Sequence, residues 1–193
     1  GTVPHGKMVM RTAATAGERV LVTGTIGDAA LGLLLRKQPA NAGRWKLTPR
    51  EERHLTQRYL VPQPRNAIAN ALCAHGSAAM DVSDGLVGDL SKLCRASGVT
   101  ADIEVARVPL SAAARKVIAA EPKLLETILT GGDDYEVLLT MPPRRVTAFC
   151  KAAAAAGVAV TEIGTVVRGT AAPRFLDRDG KPITFEHPSF SHF

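Results

Sequence analysis

The sequence is poor in cysteine, in aromatic residues and in long apolar runs, and each shortage excludes a class of protein. Its three cysteines, Cys73, Cys94 and Cys150, are odd in number and far apart, which argues against a disulfide framework or a zinc site. Only 4% of the residues are aromatic although 46% are hydrophobic, so the core must be built mainly from Leu, Val, Ile and Ala. No apolar run approaches the roughly 20 residues of a membrane-spanning helix. Nothing resembles a secretory signal peptide, so a cytoplasmic protein is expected.

The charge balance is basic, with a formal net charge of +6 and a pI near 9.5. This balance favours anionic ligands, among which nucleotides and phosphate esters fit as well as nucleic acid. No Lys/Arg block is interleaved with aromatic residues, and no zinc-finger or single-strand-binding signature is present. We therefore expect no nucleic-acid partner.

Strand and helix patterns alternate along the 193 residues, a length that suits one compact domain. This order predicts an α/β (α+β) fold in which helices cover a mixed β-sheet. Residues 39–48 are expected to form a loop, and the last two strands are expected to pair through a turn at Asp179 and Gly180. The predicted strands are 20–23, 78–82, 101–105, 135–141, 158–167, 174–176 and 183–185, and the predicted helices are 29–37, 49–60, 65–75, 86–97, 112–120, 123–129 and 144–156.

The most informative segment joins the predicted strand at 78–82 to the helix that follows. It offers the carboxylates of Asp81 and Asp84 and the hydroxyl of Ser83 on one turn. Hard cations such as Mg²⁺ take oxygen ligands, so one or two aspartates plus substrate phosphates suffice for a site. Gly85 would let the backbone turn sharply beside them. The alternative is that Ser83 or Asp84 caps the helix, and the spacing taken alone favours this cap.

Two further turns carry polar groups. Gly24-x-x-Gly27-Asp28 could offer backbone N–H groups to a phosphate, but it lacks the Lys-Ser/Thr of a P-loop and the third glycine of a dinucleotide fingerprint. We interpret it as a tight turn with Asp28 near a helix start. Asp133 and Asp134 follow two glycines, and adjacent carboxylates are costly unless a cation or hydrogen-bond donors meet them. Alternatively, Asp133 and Asp134 are ordinary acidic residues of a solvent-exposed turn.

Together these segments resemble the C-terminal domain of the thiamine-monophosphate kinase family, in the aminoimidazole ribonucleotide synthetase-like superfamily. The resemblance covers nearly the whole chain. It implies that residues 1–193 are a single C-terminal domain and that residues 1–17 lead in from an N-terminal domain that binds ATP and Mg²⁺. The matching segments are Val-Pro-His-Gly-Lys at 3–7 through Arg11, Gly-Glu-Arg-Val-Leu-Val-Thr-Gly at 17–24, Asp-Val-Ser-Asp-Gly-Leu at 81–86, Leu-Thr-Gly-Gly-Asp-Asp-Tyr-Glu at 129–136 and Phe-Ser-His-Phe at 190–193.

The resemblance implies an ATP-dependent transfer of the γ-phosphoryl group onto thiamine monophosphate, which gives thiamine diphosphate. Asp81 and Asp84 are then expected to hold Mg²⁺, and Ser83 is expected to contact ATP. Arg11 lies among apolar residues and could by itself be a surface arginine. The resemblance implies instead that it binds the phosphates of ATP, a role that its bidentate donors suit.

Two residues are expected to position the substrate. The family generally has Glu directly after the two glycines, where it contacts the substrate, and this chain has the shorter Asp133 there. Phe190 is expected to cover the thiamine rings, with Ser189 where the family often has Gly. Without the resemblance, Phe190 would be read as an anchor for the chain terminus.

Two rival functions stay open. Selenophosphate synthetase shares the fold and the use of ATP, but its corresponding turn usually reads Asp-x-Thr-Gly and it lacks the Gly-Gly-Asp-Asp-Tyr-Glu segment. A domain that binds thiamine phosphates without catalysis is the rival from another class. The partners that the resemblance implies are the N-terminal domain and, in a full-length protein, a second copy in a homodimer. Without that first domain, this chain alone is expected to be inactive.

Overall fold

The structure, a computed structural model, describes residue 3 and residues 5–186. That part of the chain contains one six-stranded sheet, eight α-helices and two 3₁₀ helices at Asn66–Ile68 and Val105–Arg107. The strands are β1 Arg19–Thr23, β2 Ala78–Val82, β3 Thr100–Glu104, β4 Glu136–Met141, β5 Val160–Val167 and β6 Arg174–Leu176. The α-helices are α1 Asp28–Lys37, α2 Asn41–Arg44, α3 Pro49–Leu60, α4 Ala69–His75, α5 Leu86–Ser97, α6 Ala112–Ala120, α7 Leu124–Thr130 and α8 Pro143–Ala155.

The sheet is mixed, with the strand order β2-β4-β1-β5-β3-β6. All neighbouring strands are antiparallel except β3 and β6, which run parallel. The register between β1 and β5 shifts between Val20 and Leu21. The predicted class, a mixed sheet covered by helices, is therefore confirmed.

Alternation along the strands divides the apolar side chains between two faces of the sheet. In β1, Val20 and Val22 pack on one face with Leu90 and Leu93 of α5, while Leu21 packs on the other face with Phe149 of α8. A third apolar cluster lies among α1, α3, α6 and α7. No helix among the described residues is long and apolar enough to cross a membrane.

Three predicted elements differ from the structure. The expected loop at 39–48 contains the short helix α2, and the helix expected at 65–75 is divided into a 3₁₀ helix and α4. The predicted hairpin at the C-terminal end forms only in part: the chain turns at Asp179 and Gly180, and the N–H of Ile183 donates to the carbonyl of Phe175 over 2.7 Å. Residues 183–185 nevertheless form no strand, since Leu176 and Pro182 make only an isolated antiparallel bridge, and the ladder of β6 is its parallel pairing with β3. Edge strands of three residues give too little alternation to reveal their partner.

Candidate functional site

Two polar turns meet beside the end of β2. We call residues 81–85 the aspartate turn and residues 131–135 the acidic turn. The backbone N–H of Asp133 donates to the carbonyl oxygen of Ser83 over 3.0 Å, which joins the two turns directly. Because β2 and β4 are paired antiparallel, the end of one strand necessarily lies beside the start of the other.

The acidic turn has an unusual backbone. Asp133 and Tyr135 have φ angles of 70° and 50°, in the left-handed region that non-glycine residues rarely adopt. The N–H of Tyr135 donates to the carbonyl of Val82 over 2.8 Å, so pairing with β2 holds this conformation. Strained backbone of this kind is often found at functional sites, where the surrounding structure maintains it.

Glycines allow the two turns to approach each other. A side chain at Gly132 would collide with the carbonyl oxygen of Ser83. One at Gly85, which has a φ of 97°, would collide with the backbone of Thr130. The close approach of the aspartate turn to the acidic turn and to the end of α7 therefore requires glycine at both positions.

The acidic side chains of the two turns share one region. Asp81 is exposed, Asp133 is half-buried and the side chain of Asp84 is 36% exposed. Burial raises the pKa of the Tyr135 phenol most, followed by Asp133, and Asp81 and Asp84 add smaller contributions. The phenol therefore lies within electrostatic range of all three carboxylates. The hydroxyl of Tyr135 donates to Oδ1 of Asp133 over 3.2 Å. The structure thus brings together four of the expected site residues, namely Asp81, Ser83, Asp84 and Asp133.

Helix capping does not explain the polar residues of the aspartate turn. The N-cap residue of α5 is Gly85, and within the described chain no side chain makes a cap hydrogen bond there. Asp89, in the first turn of α5, instead accepts the N–H groups of Ser83 and Asp84, each over 2.9 Å, on its Oδ2 atom. The alternative that Ser83 or Asp84 caps the helix is therefore wrong.

Lys92 connects two of these carboxylates. Its ammonium donates to Asp84 and, over 2.8 Å, to Oδ1 of Asp89. Burial lowers the pKa of Lys92, but the hydrogen bonds to the two carboxylates outweigh burial and leave the pKa raised. The fully buried carboxylate of Asp89 is thereby satisfied on both oxygens.

The exposed carboxylates fit a hard divalent cation, because carboxylate oxygens are its preferred ligands and phosphates complete the set. Within the described residues, no group of three or more His, Cys, Asp or Glu side chains could hold a metal by itself. A cation at Asp81 and Asp84 would therefore draw further oxygen ligands from a bound phosphate or from water. An oxygen-only donor set suits Mg²⁺ and does not suit zinc, which favours His and Cys.

A buried ion network supports the acidic turn. The carboxylate of Glu136 is fully buried, directly after Tyr135, and it accepts hydrogen bonds from Thr23, Arg58 and Arg65. Arg58 donates over 2.8 Å to Glu136 and over 3.1 Å to the carbonyl of Asp134. Glu136 closes the motif at 129–136, but the sequence alone indicates no role for it, because its partners are distant in sequence.

Asp134 does not lie in solvent. It is buried, and its carboxylate accepts the N–H groups of Gly27 over 2.6 Å and Ala29 over 3.2 Å. Burial raises the pKa of Asp134 to about 7, although these two hydrogen bonds act in the opposite direction. The turn at 24–28 and the start of α1 therefore each give one backbone N–H group to a side chain of the acidic turn.

Asp28 begins α1 as expected and is also buried. It accepts hydrogen bonds from Thr25, from Ser111 over 2.6 Å and from His54 over 2.9 Å. Burial raises the pKa of Asp28, but these hydrogen bonds outweigh burial and leave the pKa lowered. The hydrogen bond to Asp28 correspondingly raises the pKa of His54.

One expected site residue, Arg11, is not brought to the two turns. Arg11 is exposed, and its backbone carbonyl accepts a hydrogen bond from Ser97, the last residue of α5. The aspartate turn precedes the other end of this 12-residue helix, which is about 18 Å long. Phe190 lies outside the described residues.

Comparisons with known proteins identify the family of this chain. Residues 15–173 match the family described as AIR synthase related protein, C-terminal domain. The thiamine-monophosphate kinase of Caulobacter vibrioides is 39% identical over 172 residues, which cover 88% of this chain and 47% of that protein. This chain therefore spans about half the length of the curated relatives that it matches.

Two solved structures superpose on most of this chain. A crystal structure of thiamine-monophosphate kinase from Stenotrophomonas maltophilia superposes with a TM-score of 0.82 at 31% identity, over 94% of this chain and 56% of that one. The structure of AaThiL complexed with AMPPCP and TMP superposes with a TM-score of 0.74 at 34% identity, over 96% of this chain and 54% of that one.

Proposed function

Because this chain belongs to the AIR synthase related protein family and matches its C-terminal domain, we propose that it is part of an ATP-dependent kinase that converts thiamine monophosphate to thiamine diphosphate. The observation that carries the proposal is the junction of the two turns, which gathers Asp81, Ser83, Asp84 and Asp133 on one surface. Relatives that carry the kinase name, and a similar structure complexed with AMPPCP and TMP, support the choice of substrates.

The reaction makes modest demands on the protein. An ionised phosphate oxygen of thiamine monophosphate forms a bond to the γ-phosphorus of ATP, and the bond from that phosphorus to the bridging oxygen breaks as ADP leaves. The attacking oxygen carries no proton at neutral pH, so no general base is needed. Alignment of two anionic substrates and neutralisation of their charge are the main requirements.

Each residue of the junction has a role in this scheme. Asp81 and Asp84 would hold Mg²⁺, which supplies positive charge that neutralises the phosphate oxygens. Ser83 would contact ATP, and Asp133 would orient thiamine monophosphate. Asp133 is held at a φ of 70° by the hydrogen bond to Ser83, which fixes the direction of its Cα–Cβ bond, and Oδ1 of its shorter side chain accepts a hydrogen bond from the hydroxyl of Tyr135.

The proposal includes parts outside the junction of the two turns. Arg11 would bind ATP phosphates at a separate point, and Phe190 would cover the thiamine rings. An N-terminal domain would supply the remaining metal ligands, and the full-length protein would be a homodimer. Since such a kinase consumes ATP for coenzyme synthesis, we expect it in the cytoplasm.

Product formation by the full-length polypeptide tests the proposal. Mg²⁺, ATP and thiamine monophosphate are incubated with the protein, and thiamine diphosphate and ADP are separated by chromatography. Equal amounts of the two products are expected. Hydrolysis of ATP without thiamine diphosphate, or product from selenide in place of thiamine monophosphate, would favour another ATP-using member of the superfamily. Binding of thiamine monophosphate with no turnover would favour a non-catalytic domain.

A further inference from the structure

The contacts of Lys92 bear on how the aspartate turn takes up a cation. Lys92 follows Asp84 by 8 positions and Asp89 by 3, and its ammonium reaches both carboxylates. Asp89 is fully buried, whereas Asp84 is partly open to solvent. The ammonium therefore has one buried partner, Asp89, and one partly exposed partner, Asp84.

We propose that Lys92 is an internal counter-cation that competes with the divalent cation for Asp84. An ammonium held against a carboxylate neutralises the charge and occupies an oxygen that a metal would use. Binding of a cation to Asp84 then requires the Asp84–Lys92 ion pair to open. This inference rests on the proposed function for its premise that Asp84 is a metal ligand, and it adds a residue that tunes the affinity of that site.

The surroundings of Lys92 permit this exchange. Oδ2 of Asp89 is held by two backbone N–H groups, so Asp89 stays in place when Asp84 changes partner. Lys92 also borders a cleft of about 400 Å³, whose other lining residues include Ser91, Arg95 and Thr170. A displaced ammonium can keep its bond to Asp89 and turn toward this open cleft. No repacking of the core is needed.

The size of the effect follows from the exposure of the pair. Side chains of Lys92 and Asp84 are 31% and 36% exposed, and ion pairs of such exposure are weak. Removal of the ammonium should therefore raise the affinity of the aspartate turn for a divalent cation about 2- to 5-fold. A like-charged replacement should leave the affinity near that of the parent.

Direct binding of Mn²⁺ to this chain tests the inference without any turnover. Paramagnetic broadening of the ¹⁵N–¹H signals of residues 81–86 is followed as MnCl₂ is added to the parent, Lys92→Gln and Lys92→Arg. Lys116→Gln is the matched control, because Lys116 forms an exposed ion pair with Glu51 away from the two turns. We expect a lower dissociation constant for Lys92→Gln alone, and Asp84→Asn should abolish the broadening.

Equal or weaker Mn²⁺ binding by Lys92→Gln, with the other signals of the folded domain unchanged, overturns the competition. If Lys92→Gln does not fold, the parent is compared with Lys92→Met and Lys92→Arg instead. If Asp84→Asn binds Mn²⁺ as the parent does, both the inference and the metal role of Asp84 are wrong. The kinase proposal is judged separately by thiamine diphosphate formation, so a failure of either can be recognised.

Discussion

The buried carboxylate of Glu136 accepts a 2.8 Å hydrogen bond from Arg58, a residue 78 positions earlier in the chain. Arg58 lies on α3 and Glu136 begins β4. The ion pair therefore connects α3 to the start of β4, directly after the acidic turn. The Nε and Nη1 atoms of Arg58 are buried and have no hydrogen-bond partner among the described residues. Such a pair is costly to desolvate, and its expected benefit is a fixed position for the acidic turn.

Glu136→Gln should destabilise the domain strongly, by about 3 to 5 kcal/mol in the free energy of unfolding, because it leaves buried guanidinium groups without their counter-ion. Urea unfolding measures this change. Glu104→Gln is the control, since Glu104 pairs with Arg107 at the surface, and its effect should stay within about 0.5 kcal/mol. Equal losses in the free energy of unfolding for the two substitutions would show that the buried network contributes no more to stability than a surface ion pair.

Gly132→Ala should disturb the junction of the two turns. The added methyl group meets the carbonyl oxygen of Ser83, and relief of that contact must move one turn away from the other, at a cost of about 1 to 3 kcal/mol. Gly43→Ala is the matched control, because a side chain at Gly43 in α2 meets open space and should be neutral or stabilising by up to about 1 kcal/mol. Calorimetry of both variants distinguishes a packed junction from a loose one.

His54→Gln should lower the melting temperature in acid and have little effect in alkali. The pKa of His54 is raised in the folded protein, so the stability from its ion pair with Asp28 is present below the ordinary value of 6.5 and is lost as the pH rises through the folded value. We expect a loss of about 1 to 3 °C near pH 5.5 that disappears near pH 9. A loss independent of pH would mean that His54 acts by packing alone.

Local signals predicted most of the fold. Residues 49–60 were expected to be helical, and α3 has these bounds because Thr48 and Glu51 form a capping box and Pro49 occupies the first turn. Helix α5 ends at Ser97 as predicted, and Gly98 after it has the left-handed φ of 68° typical of a helix end. These features depend on residues within one or two turns of each other, so the sequence displays them directly.

The supporting part of the candidate site could not be predicted in this way. Asp134 was weighed as a turn acid, but its partners Gly27 and Ala29 lie more than 100 positions away. Similarly, the role of Glu136 depends on Arg58 and Arg65, which no local pattern connects to β4. These groups meet only in the folded chain, where hydrogen bonds join the start of α1, helix α3 and the segment after α3 to residues 134–136.

In the proposed function, Asp84 binds a cation for the reaction and does not cap the helix. Thiamine diphosphate formation by full-length Asp84→Asn across a range of Mg²⁺ concentrations is the most direct measurement. Asn keeps the size of the side chain, and Asp84 is partly exposed and makes no cap hydrogen bond to α5, so the fold should be retained. We predict turnover reduced by about 10²-fold or more, only partly restored by added Mg²⁺, in a protein that melts near the parent. Turnover within a few-fold of the parent at every Mg²⁺ concentration would contradict the account.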